Sequence, residues 1–122
     1  MLSAAFAVLA AAMLLGAALA ALYLRGGTAP AVPLLFGALH GLIGIGGLGC
    51  LVAALRGPPR GLDQGTASFG SIAATLLALA AFAGLGVMLI SHAKKRRVGT
   101  LIGLHATLAI SGFVVLAAYL FA

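Results

Sequence analysis

Four unbroken apolar runs, each about as long as a bilayer is thick and separated only by short polar connectors, constrain this chain more than any other feature. They cover Leu2 to Leu24, Leu34 to Leu55, Thr66 to Ser91 and Val98 to Phe121. About 20 apolar residues carry an α-helix across the hydrocarbon core, and only helices or closed barrels satisfy their backbone there. Barrel strands would alternate in short segments, so the runs predict helices over 2–24, 34–55, 66–91 and 98–121. The expected fold is an all-α integral membrane protein, a four-transmembrane-helix bundle in one domain over residues 1–122. Composition agrees, with 64% hydrophobic residues, a mean hydropathy of +1.28 and 7% charged residues. A soluble domain of this size could not bury so much apolar surface. The first run lacks a basic start and outruns the apolar core of a secretory signal, so it reads as a retained helix.

The connectors carry the charges and the helix breakers. Gly26, Gly27, Pro30 and Pro33 fall in the first, and Gly57, Pro58, Pro59 and Gly61 in the second. Arg25, Lys94, Lys95, Arg96 and Arg97 fall on one side of the membrane, against Arg56, Arg60 and Asp63 on the other. Cationic loops stay in the cytoplasm, which puts the Lys94–Arg97 loop there and both termini outside, in a bacterial-type inner membrane. The net charge of +6 therefore reads as topology and headgroup attraction. A nucleic-acid interface would need a basic face interleaved with aromatic residues, and none exists. Cys50 is the single cysteine, which rules out an intrachain disulfide and a C-x-x-C-H haem attachment.

The second and fourth runs repeat one another. Leu39–Leu55 (LHGLIGIGGLGCLVAAL) aligns without a gap to Leu104–Leu120 (LHATLAISGFVVLAAYL), pairing His40 with His105 and Gly47 with Gly112. The first and third match weakly, through Ser3/Ser68, Leu14/Leu79 and Ala18/Ala83. This predicts two repeated helical hairpins related by an axis along the membrane normal.

Co-directional second and fourth helices place both imidazoles at one depth. Positions four and seven residues after each His share its helix face; they are Gly44 and Gly47 on one helix, Ala109 and Gly112 on the other, with Gly37 one turn earlier. A planar macrocycle ligated by these His residues needs such a small-residue face. Small residues also let membrane helices approach closely, and a single His also serves as an interhelical hydrogen-bond donor. Two at matched depth point to a ligand pair, since ionisable groups inside a bilayer are functional candidates.

Two imidazoles make a poor zinc site, because zinc takes three or four protein ligands. Haem needs only axial ligands, and two His would fill both positions, favouring electron transfer over oxygen chemistry. Haem b is thus the expected cofactor, with a chlorophyll-type pigment as the alternative. His92 either reaches headgroups or, with Arg25 and the basic run, meets haem propionates. The motifs HGLIGIGG (His40–Gly47) and HATLAISG (His105–Gly112) on a four-helix plan resemble the b-type membrane cytochromes, particularly the haem core of cytochrome b and the cytochrome b561 group. The resemblance implies axial ligation by His40 and His105. Fourteen residues past each His stand Ala54 and Tyr119, so it implies one haem, and a quinone or partner redox protein to complete the path.

Two other functions fit the sequence: a non-catalytic anchor or assembly subunit of a larger membrane complex, redox or photosynthetic, and a small transporter or channel, either of them possible as a homo-oligomer. Proton-coupled transport usually uses an intramembrane carboxylate, and the only acid is Asp63, in a connector. Hydrolytic catalysis has no base-plus-acid partner for any Ser or Thr; these hydroxyls are expected to bond back to helix carbonyls. Tyr23 and Tyr119 read as aromatic anchors at opposite faces.

Overall fold

The computed structural model describes residues 1–25, 34–58, 60–94 and 98–122, with the side chains of 92–94 left out. Among the described residues four helices form: α1 (Leu2–Arg25), α2 (Leu34–Ala54), α3 (Phe69–Lys94) and α4 (Gly99–Phe121). Each is long and apolar enough to cross a membrane. Their Ala, Leu and Gly content leaves most large apolar side chains facing outward, among them Leu14, Leu42, Phe82 and Val114. Lipid is the medium that suits such a surface.

The helices run up and down. α1 packs mainly on α2 and α3 on α4, with thinner contacts between α2 and α3 and between α1 and α4. That order makes a square with α2 and α4 on one diagonal. The end where α1 and α3 finish and α2 and α4 begin is called the upper rim below. The basic run Lys95–Arg97, and the breakers Gly26, Gly27, Pro30, Pro33 and Pro59, lie outside the described residues.

The third helix starts at Phe69, not at Thr66 as its apolar pattern suggests. A turn takes the intervening residues. The Phe69 amide donates to the Thr66 carbonyl at 2.9 Å, and the Thr66 amide to the Gly61 carbonyl at 2.8 Å. Gly61 and Gly65 hold φ of 68° and 70°, the left-handed region open to glycine. The hydroxyls of Ser71, Thr75, Ser91 and Thr107 donate to carbonyls three or four residues back, as the sequence implies.

The packed core occupies the lower half. It joins Leu2, Ala5, Leu9, Leu51, Ala73, Leu77, Leu116 and Tyr119. Phe6 of α1 stacks on Phe113 of α4 with ring centres 4.7 Å apart, tying the two hairpins together. Tyr119 is 4% exposed and is therefore a core residue, not the interfacial anchor its place near a helix end suggests. Tyr23 stays at the upper rim, where its hydroxyl accepts from the Val98 amide at 3.2 Å and links the end of α1 to the start of α4.

Candidate functional site

His40 and His105 are each the seventh residue of their helices, about 9 Å below the upper rim at 1.5 Å per residue. Their rings meet across the diagonal of the square, with centres 5.8 Å apart and planes at 86°.

Each ring is held by the first helix of its own hairpin. His40 Nδ1 lies 3.0 Å from the Ala12 carbonyl of α1, and His105 Nδ1 lies 2.7 Å from the Ala80 carbonyl of α3. A carbonyl oxygen only accepts, so Nδ1 carries the proton in both rings and donates it. In a neutral imidazole the lone pair then belongs to Nε2. Neither Nε2 has a hydrogen-bond partner among the described residues. No buried side-chain nitrogen or oxygen among them is left unpaired either, so both Nε2 atoms keep accessible surface. Pinning Nδ1 to a backbone carbonyl is how proteins orient metal-ligating His residues.

Glycine makes this possible. A Cβ at Gly16 would come within 2.8 Å of His40 Cε1, and one at Gly84 within 3.0 Å of His105 Cε1 and Nδ1. The receiving carbonyls belong to the residues one turn earlier, Ala12 and Ala80, which in an α-helix also accept from the amides of Gly16 and Gly84. Gly16 does not stand out in the sequence, and Gly84 reads there, with Gly86, only as a small-residue seam for docking another helix. The detectable signal is Ala-x-x-x-Gly on the helix before each His, and it appears only once the two hairpins are aligned through their contacts.

That alignment differs from the sequence reading. Ala5/Ala73, Leu9/Leu77, Ala12/Ala80 and Gly16/Gly84 are equivalent by burial and contact, 68 residues apart, whereas His40/His105, Gly47/Gly112 and Leu51/Leu116 are 65 apart. The pairs Ser3/Ser68, Leu14/Leu79 and Ala18/Ala83 are therefore out of register by three. The first hairpin spends three more residues between its glycine and its His, which a gap-free alignment hides.

The other predicted residues divide into two groups. Gly37 and Gly44, one turn either side of His40, have nothing within 4 Å of a built Cβ, and Ala109 is half-buried one turn past His105. A Cβ at Gly47 would instead meet Leu9 at 2.8 Å, and one at Gly112 would meet Leu77 at 2.9 Å. These two glycines seat the helices of each hairpin against one another. Arg25 is the exposed last residue of α1. His92 lies on α3 eight residues beyond Gly84, about 12 Å toward the upper rim, so the fold does not bring its backbone level with the pair; its side chain lies outside the described residues.

No group of three or more His, Cys, Asp or Glu side chains forms a metal cage among the described residues. The donor set is two imidazoles. Such a pair can ligate one metal ion from two sides, provided another group supplies the remaining ligands. No protein-family model, no curated protein and no solved structure matches this chain.

Proposed function

We propose that this chain is a multi-pass membrane protein that holds one b-type haem between His40 and His105 for single-electron transfer. The observation that carries the reading is the paired orientation of the imidazoles. Both donate Nδ1–H to a carbonyl of their own hairpin, both leave Nε2 as the atom with the lone pair, and both are the seventh residue of their helix. The ring centres stand 5.8 Å apart, a spacing at which His40 and His105 could both serve one metal ion. Haem fits a two-donor set because its porphyrin supplies four ligands. Open space beside Gly37 and Gly44 suits a flat group, and the half-buried Ala109 adds little bulk. If bound, haem would be held by His40 and His105 and would supply a one-electron iron couple.

The chain's own part is to fix the two ligands, exclude water and set the field. The carbonyls of Ala12 and Ala80 hold the rings in one tautomer and raise their basicity. Leu9, Leu77, Leu51 and Leu116 close the space below. Arg25 and the cations beyond α3 supply positive charge at the upper rim, which we place in the cytoplasm of a bacterial-type cell. The matching surroundings of the two His residues support descent from a duplicated hairpin.

The test is an absorption spectrum of the purified protein. A sharp low-spin Soret band, lost in His40→Ala and in His105→Ala, is expected. A colourless protein from haem-replete cells, or a band indifferent to both substitutions, refutes the reading, and a chlorophyll-type band would reassign the pigment. One observation favours a second role as an anchor in a larger complex: Gly46 and Gly49 of α2 are exposed with nothing within 4 Å, as membrane helix seams require.

A further inference from the structure

The two hairpins are not alike at the lower end of the bundle. Tyr119 of α4 stands where α2 has Ala54, 65 residues earlier, and Gly70 of α3 stands where α1 has Leu2, 68 residues earlier. The Tyr119 ring lies against α3, so a Cβ at Gly70 would meet its Cε1 at 2.8 Å and its Cζ at 3.0 Å. The first hairpin has no such ring, and a cleft of about 270 Å³ opens beside Leu2 and Ala54. Ligand pockets measure about 300–1,000 Å³, so this one suits a small group. Ala53 and Pro58 complete its apolar wall, and Arg60 and Tyr119 are the side-chain hydrogen-bond donors that line it. Tyr119 is only 4% exposed, and a buried tyrosine hydroxyl usually finds a partner. This one makes no hydrogen bond among the described residues. No unpaired side-chain oxygen among them is fully buried, so the hydroxyl keeps its surface at the cleft that Tyr119 lines. Arg60 is exposed and has no ion pair or hydrogen bond among the described residues, with Asp63 or any other group. Since α1 begins at Leu2, the positive end of its dipole lies at the same place. The carbonyls of Ala53 and Ala54 that end α2 are already taken, by the amides of Arg56 at 3.3 Å and Gly57 at 3.2 Å.

We infer that this cleft is a binding site for a phosphate group. Its side chains supply donors and no carboxylate, which selects a group with several anionic oxygens. The Arg60 guanidinium presents the planar fork that phosphate accepts from in pairs, and the Tyr119 hydroxyl donates a further hydrogen bond from inside the bundle. The phosphate comes either from the headgroup of an anionic phospholipid or from the free ion. Basic pockets between membrane helices take such headgroups, and Leu2, Ala54 and Pro58 would then meet the glycerol and the first acyl carbons. This site lies at the opposite end of the helices from the histidine pair and is independent of whatever that pair holds.

The experiment titrates the delipidated full chain, in a neutral detergent at constant ionic strength, with dihexanoyl phosphatidylglycerol and separately with inorganic phosphate. Binding is followed by calorimetry. Saturable binding is expected, weakened at least ~10-fold in Tyr119→Phe and in Arg60→Gln, as loss of a hydrogen bond to a charged group implies. Arg56→Gln, a neighbouring cation that does not line the cleft, should bind as the wild type does. Saturation by the lipid alone assigns a headgroup site, and saturation by inorganic phosphate as well assigns a site for the anion itself. Tyr119→Phe removes no hydrogen bond within the protein, so its unfolding temperature without ligand should match the wild type. A clear fall there means that the hydroxyl is already partnered, and it overturns the inference. So does the absence of saturable binding by either compound, or binding that both Tyr119→Phe and Arg60→Gln leave intact. None of these results bears on the absorption spectrum that tests the haem reading.

Discussion

Replacing Gly16 by Ala tests the ring-holding device directly. The new Cβ would stand 2.8 Å from His40 Cε1, where ordinary contact begins at 3.4 Å, so the ring must retreat by about 0.6 Å. Its Nδ1 starts 3.0 Å from the Ala12 carbonyl, and a retreat of that size leaves a separation of about 3.6 Å, no longer a hydrogen bond. The equivalent change at Gly84 asks for about 0.4 Å and starts from 2.7 Å, so that bond stretches to about 3.1 Å and survives. Overpacking costs about 1–3 kcal/mol and the lost bond about 1 kcal/mol, offset by up to ~1 kcal/mol of helix propensity. Gly16→Ala should therefore destabilise by about 1–3 kcal/mol. Gly84→Ala should cost about 1 kcal/mol less, the difference being its surviving hydrogen bond. The assay is thermal unfolding in detergent and, if the proposed haem binds, its redox midpoint, which should rise when the His40 ring loses its carbonyl and with it basicity. Gly46→Ala, with nothing within 4 Å, is the control. If Gly16→Ala matches that control in both measurements, the account of how His40 is held is wrong.

Other substitutions separate packing from ligation. Leu51→Ala and Leu116→Ala, both at positions 0% exposed, should each lose about 2–5 kcal/mol by calorimetry, with the position of the Soret band unchanged. Gly112→Ala forces a Cβ to 2.9 Å from Leu77 and should destabilise the α3–α4 hairpin by about 1–3 kcal/mol, again without a spectral shift. Tyr23→Phe removes the acceptor of the Val98 amide and should cost about 0.5–1.5 kcal/mol, visible as faster hydrogen exchange at the start of α4.

The number of helices, their spans and the common depth of His40 and His105 were legible because each rests on a periodicity or a count. Hydropathy alone gives four spans, and the matching place of His40 and His105, each the seventh residue of its helix, follows from the ungapped match of α2 to α4. The start of α3 was not legible, since Thr66, Ala67 and Ser68 are apolar or neutral and what stops the helix is a turn built on the left-handed Gly61 and Gly65. Gly47 and Gly112 share the His face by angle, yet a helix face says nothing of which neighbour fills it; here Leu9 and Leu77 do. Gly16 was missed, and Gly84 was read only as a docking seam, for the converse reason. They sit on helices without a titratable residue near them, and their importance lies in a neighbour's ring.

The acceptors that set both imidazole tautomers are main-chain oxygens. No replacement of the Ala12 or Ala80 side chain can delete them, so drift at those two sites can alter the fit around the rings while the protonation pattern persists. What evolution can edit is the clearance, through one hydrogen atom at Gly16 and another at Gly84. The electronic character of the two imidazoles is thereby entrusted to the smallest side chains in the bundle.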